Sequence, residues 1–151
     1  LAMTGWRLGF LVAPKSLAAA LNKIHYHILA CPSTPVQVAV LAGLAKGSST
    51  FPGMLKEFKA RRELVTGILG KIPGLSLVPP QGAFYAFPHF DWKLSSAEVA
   101  HALLARGVIT TPGDAFGSLG ASHLRISFSA SRKNLRDGLK ILATYADEVA
   151  K

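Results

Sequence analysis

Residues 75–87 read LSLVPPQGAFYAF, and here the hydrophobic period of the chain changes. Leu75 to Val78 is a short apolar run, Pro79 to Gly82 (PPQG) is a turn, and Ala83 to Phe87 is a second apolar run. Two such runs around a proline- and glycine-containing turn predict a pair of strands. Immediately upstream the period is helical. Leu55, Phe58, Leu64, Val65, Ile68, Leu69 and Ile72 recur at helix spacing, with Pro52 near the first turn and Pro73-Gly74 at the end. A helix of about 20 residues would reach ~30 Å, enough to join two domains.

Downstream, Ser95 and Glu98 form a capping-box start for a helix that runs to Arg106, with Gly107 as the residue that ends it. Val108 to Thr111 reads as a strand, PGDAFGSLG (112–120) as a long glycine-rich loop, and His123 to Ser129 as another strand. Ser131 caps a last helix that places Leu135, Leu139, Leu142 and Tyr145 on one side. The order after residue 74 is thus β-β-α-β-β-α. It predicts a small α+β unit, with a mainly antiparallel sheet and helices on one face.

Upstream of the long helix, Arg7 to Ala13 (RLGFLVA) reads as a buried strand stopped by Pro14. Ser16 to Ala30 is a helix rich in alanine and leucine, Cys31 to Pro35 (CPSTP) a loop, and Val36 to Lys46 a second apolar helix ended by Gly47. Gly47 to Thr50 is a small polar linker. The opening residues LAMTGWRLGFLVAP read like the interior of a domain, so the chain is expected to be a piece of a longer protein.

Composition narrows the class. Half of the 151 residues are hydrophobic and 17% are charged, which excludes a disordered chain. A single cysteine, Cys31, excludes a disulfide framework and a multi-cysteine metal cluster, and fits a reducing, cytoplasmic setting. No apolar run reaches the ~18 residues of a membrane span, so no membrane partner is expected. Seventeen Lys and Arg against eight Asp and Glu give a net charge of +9, which raises nucleic acid or an anionic ligand as a partner. The charges are spread, however. The densest groups, Lys56/Lys59/Arg61/Arg62 and Arg132/Lys133/Arg136/Lys140, are interleaved with acids on amphipathic helices and read as solvated faces. No nucleic-acid partner is expected.

Familiar catalytic motifs are missing: no Walker A, no GxGxxG before a helix, no HExxH and no GxSxG. His25 and His27 lie two apart on a helix and face different sides. His89, His101 and His123 are scattered, and no metal site is expected. Two arginines stand out. Arg7 opens an apolar strand and Arg125 sits inside LRISFS, otherwise apolar or small. Arginine is seldom buried without a partner, and its planar fork suits phosphate or carboxylate. Two of them at strand edges fit a small ligand with both groups; the alternative is an edge arginine that meets water or a structural acid.

MTGWRLGFLVAP (3–14), STP (33–35), PQGAFYAFP (80–88), ITTPGDAFG (109–117) and HLRISFSASRKNL (123–135) together resemble, in order and spacing, the class I/II aminotransferases of the pyridoxal-phosphate fold type I, or aspartate aminotransferase, superfamily. The resemblance covers essentially the whole chain. It implies the C-terminal portion of an α/β PLP-transferase fold: residues 1–50 the end of the large cofactor-binding domain, 51–74 a connecting helix, and 75–151 the small α+β domain. It implies that Arg7 binds the phosphate of pyridoxal 5′-phosphate, that Arg125 binds the substrate α-carboxylate, and that Phe84, Pro112 and Phe116 line the side-chain pocket. The Schiff-base lysine of the family falls two residues before Leu1, so no catalytic residue is expected within the chain, and the chain alone is expected to be inactive; Lys15 is no substitute. The implied parent is a cytoplasmic homodimer that moves an amino group from an amino acid to a 2-oxo acid. It would need its own N-terminal part as a partner of this one. Some aspartate-specific members carry an arginine just before the STP-like loop; no arginine lies between Arg7 and Arg61, and Leu29 stands near that place. Two other classes remain open: a non-catalytic assembly module of the same fold, and a basic nucleic-acid-binding domain.

Overall fold

A computed structural model describes residues 1–47 and 51–150. The linker expected at Gly47–Thr50 therefore lies, beyond Gly47, outside the described residues. The chain divides into two compact units, Leu1–Gly53 and Met54–Lys151.

The first unit contains a short 3-10 turn, Thr4–Trp6, and two helices, α1 (Lys15–Leu29) and α2 (Thr34–Lys46). Both helices arise where the sequence places them, but α2 begins two residues early. Pro35 sits within its first turn, where a missing N–H costs nothing, rather than in the loop. The buried strand expected at Arg7–Ala13 does not form. These residues have no regular structure, and Phe10, Leu11 and Val12 are exposed. A strand needs a neighbour to take its backbone hydrogen bonds, and no other strand lies among the described residues of this unit. Apolar character gave the segment the look of a strand without supplying the ladder. None of the elements in this unit buries a residue.

The second unit holds the core. Helix α3 (Pro52–Leu69) starts at its proline as expected, but stops at Leu69, short of Pro73. Tight turns finish it: Lys71 N–H donates to the Ile68 carbonyl at 3.0 Å and Ile72 N–H to that of Leu69 at 3.2 Å. Five short strands follow: β1 (Leu75–Ser76), β2 (Tyr85–Ala86), β3 (His89–Phe90), β4 (Thr111–Pro112) and β5 (Leu124–Ser127), with α4 (Ser96–Ala105) between β3 and β4 and α5 (Arg132–Val149) last. All ladders are antiparallel: β1 pairs with β3, and β5 lies between β2 and β4. The expected α+β unit is present. It has one strand more than the sequence reading, because the chain continues past Pro88 into the other sheet instead of stopping there.

Local signals fix the helix ends. The Ser95 hydroxyl accepts from Glu98 N–H at 3.3 Å while the Glu98 carboxylate accepts from Ser95 N–H at 2.7 Å, a complete capping box. Gly107 follows α4 with φ +85°, as a helix-ending glycine should. Ser131 caps α5, accepting from Asn134 N–H at 3.2 Å. The core joins Val65 and Leu69 of α3, Phe90, Val99 and Leu103, Leu124 and Phe128, and the α5 row Leu135, Leu139, Leu142 and Tyr145. Glu57 ties α3 to α5 by accepting from both Arg61 and Arg132. Part of the basic surface is thereby neutralised, and the two arginines hold the Glu57 carboxyl below its usual range, Arg132 more strongly. Among the described residues, no helix is long and apolar enough to cross a membrane.

Candidate functional site

Arg125 lies in β5, the central strand of the three-stranded ladder, opposite Thr111 of β4. Residues directly opposite each other share a face. The Thr111 hydroxyl accepts a hydrogen bond from Arg125 Nη2 at 3.1 Å. On the other side of β5, Tyr85 of β2 pairs with Ser127, one diagonal step from Arg125. Its ring centroid is 4.6 Å from the guanidinium carbon. The loop that leaves β4 winds into a 3-10 turn, Gly113–Phe116, and brings the Phe116 ring to 4.8 Å from the same carbon. Arg125 is half-buried, and among the described residues it forms no ion pair.

Both alternatives weighed for this arginine from sequence can now be compared. It does not pair with a structural acid, and it does not swing freely into water. It is held by a hydroxyl and two aromatic rings, with one of its five N–H donors engaged by protein. A held guanidinium without a carboxylate partner is suited to a planar anion, above all a carboxylate taken at two points.

The other expected pocket residues divide. Phe116 joins Arg125. Phe84 meets Tyr85 in a tilted ring contact at 4.5 Å and approaches Phe58 at 6.1 Å, so it packs against the core one ring away from the guanidinium. Pro112 follows Thr111 on the strand and so turns to the opposite face. There it lines a groove of about 350 Å³ with Ala97, Ala100, His101, Leu104, Ile109 and Thr110. Arg7 belongs to the first unit. It is exposed, stands in the left-handed region (φ +56°) at the end of the 3-10 turn, and forms no ion pair among the described residues. That backbone conformation costs a non-glycine residue about 1 kcal/mol.

Sequence reading missed Tyr85 and Thr111, since only the strand register puts them beside Arg125. It also treated His89 and His123 as scattered. An antiparallel bridge brings them together with ring centroids 5.1 Å apart, and His123 stacks on Phe87 at 4.8 Å. Phe87 in turn meets the Phe116 ring edge-on at 5.9 Å. Burial first, and the neighbouring His89 second, push the His123 pKa down.

An α+β unit whose half-buried arginine is held by a hydroxyl and two rings, with no acidic partner among the described residues, has the chemistry to take an anion. The chain belongs to the class I and II aminotransferase family, whose model matches residues 1–142. It is 36% identical over 142 residues to an aspartate aminotransferase of Pyrococcus horikoshii, a match that covers 91% of this chain and 36% of that protein. Among solved structures, the aromatic aminotransferase of Pyrococcus horikoshii OT3 superposes with a TM-score of 0.83 at 36% identity, over 97% of this chain and 40% of that one. The alanine aminotransferase of Pyrococcus furiosus gives 0.82 at 32% identity, over 97% and 39%. The chain thus spans little more than a third of the length of these relatives.

Proposed function

We propose that this chain is the C-terminal portion of a pyridoxal-phosphate-dependent aminotransferase, which moves an amino group from an amino acid to a 2-oxo acid. The observation that carries the reading is Arg125, half-buried and held in place by Thr111, Tyr85 and Phe116 with no carboxylate partner among the described residues. In this reading Arg125 takes the substrate α-carboxylate at two points and so fixes the direction of the Cα–H bond. Such orientation is worth a large share of a barrier when two groups must meet in line. Phe116, beside the guanidinium, bounds the space for the substrate side chain, while Phe84 supports it from the core side and Pro112, on the opposite face, is withdrawn from it.

Arg7 is assigned to the cofactor phosphate. Its exposed guanidinium, without an acidic partner among the described residues, fits a dianion that needs a permanently charged two-point donor. When bound, pyridoxal phosphate supplies the electron sink that makes the Cα–H bond acidic. The lysine that moves the proton is assigned to a position two residues before Leu1. Residues 1–50 would close the large domain, 51–74 form the connecting helix and 75–151 the small domain, in a homodimer of the cytoplasm. The family match favours this reading over an assembly module or a nucleic-acid binder.

The test is cofactor binding by the full-length parent. Arg7→Ala should weaken pyridoxal-phosphate affinity by about a hundredfold, since it removes a charge-assisted contact to phosphate. Affinity equal to that of the unmodified protein would remove Arg7 from the phosphate site.

A further inference from the structure

We infer that Tyr85 and Phe116 are positioning residues that clamp the Arg125 guanidinium with two aromatic rings and so preset it for a carboxylate. The inference rests on the reading of Arg125 as the carboxylate-binding residue, and goes beyond it by naming what holds that residue in shape. Phe116 thereby takes a second role besides bounding the side-chain space.

The geometry is specific. The guanidinium carbon stands 4.6 Å from the Tyr85 centroid and 4.8 Å from that of Phe116, both within cation–π range. The rings bring no carboxylate or carbonyl to the guanidinium, so the N–H donors not given to Thr111 stay available for an anion. One in-plane donor, on Nη2, is given to the Thr111 hydroxyl at 3.1 Å. Two ring contacts and one hydrogen bond together restrict both the tilt and the rotation of the fork. The long arginine side chain, otherwise rich in rotamers, then has little ordering left to lose when an anion arrives.

Both rings are themselves held. Tyr85 meets Phe84 in a tilted contact at 4.5 Å, and Phe84 packs toward Phe58 of α3. Phe116 is met edge-on by Phe87, which stacks on His123. Each ring of the clamp is therefore braced by its own aromatic neighbours.

The test uses the full-length parent loaded with its cofactor, and two small competitive probes: propionate, which carries a carboxylate, and propionamide, which does not. Tyr85→Leu and Phe116→Leu keep apolar bulk but remove the ring. Each should raise the inhibition constant of propionate about tenfold and leave that of propionamide unchanged, the size of a cation–π contact in a partly buried site. Tyr85→Phe and Phe116→Tyr, which keep the ring, should restore propionate binding. In an Arg125→Lys background the leucine changes should cost little more, because the group they hold is gone. If Arg125→Lys weakens propionate while both leucine variants stay within twofold of the parent, the clamp is wrong and the role of Arg125 stands. If Arg125→Lys itself leaves propionate binding unchanged, the role of Arg125 fails and the clamp falls with it. Equal weakening of propionate and propionamide would show general damage to the pocket and overturn the positioning role.

Discussion

The carbonyl of Gly113 occupies the space in which a Cβ on Gly120 would stand, and Gly113 has no room for one either, since the His123 carbonyl lies 2.6 Å from its own Cβ position. These glycines face each other across the PGDAFGSLG loop, where two 3-10 turns, Gly113–Phe116 and Ser118–Gly120, fold back to back. Glycine is required here for close backbone approach rather than to cradle a phosphate. The packing sets where Phe116 stands, and so couples a structural loop to the arginine site.

Gly120→Ala should therefore be severe. A backbone oxygen cannot yield as a flexible side chain does, and overpacking of this kind costs about 3 kcal/mol. Denaturant unfolding should show a loss of that size in unfolding free energy, read as a lower midpoint at unchanged slope, with binding of carboxylates weakened in parallel. A midpoint equal to that of the unmodified chain would contradict the close packing of the two turns.

His123 should make stability depend on pH. Its pKa is held below the ordinary 6.5, by burial first and by His89 second. A depressed pKa means the folded state binds fewer protons than the unfolded one between the two values. The stability it contributes is complete above about 6.5, the unfolded value, and is lost as pH falls toward the folded value. His123→Phe keeps the ring against Phe87 and removes the titration. Thermal melts across pH 5 to 7.5 should show a flatter profile in the variant; identical slopes would assign the pH dependence elsewhere.

Ser95→Ala removes the capping box at the start of α4. The expected cost is about 1 kcal/mol, typical of a lost cap. Ser95→Asp, which keeps an acceptor, should recover most of it. A melting temperature indifferent to both changes would mean that the Ser95–Glu98 pair is replaced by water at no cost.

Legibility in the sequence followed the range of the interaction. The caps at Ser95 and Ser131 and the glycine at 107 depend on three or four neighbouring residues, and all three stand where the sequence places them. The α5 row from Leu135 to Tyr145 needed only helical spacing, and it is buried as expected. Strands were less legible. Arg7–Ala13 has the composition of a strand without a partner, and the run read as ending at Phe87 continues past Pro88 from one ladder to another. At the site, Arg125 was visible as a charge in an apolar strand. Thr111 and Tyr85 were not, because the register of β2, β4 and β5 is set by contacts between residues 12 to 42 positions apart.

The most direct measurement is the steady-state kinetics of the full-length parent carrying Arg125→Ala. Loss of a two-point charged contact to a carboxylate removes about 3 kcal/mol or more of binding. The account predicts a KM for the amino-acid substrate raised by orders of magnitude, with the cofactor still bound as tightly as before. An unchanged KM would contradict the assignment of Arg125 to the substrate carboxylate, and with it the central claim.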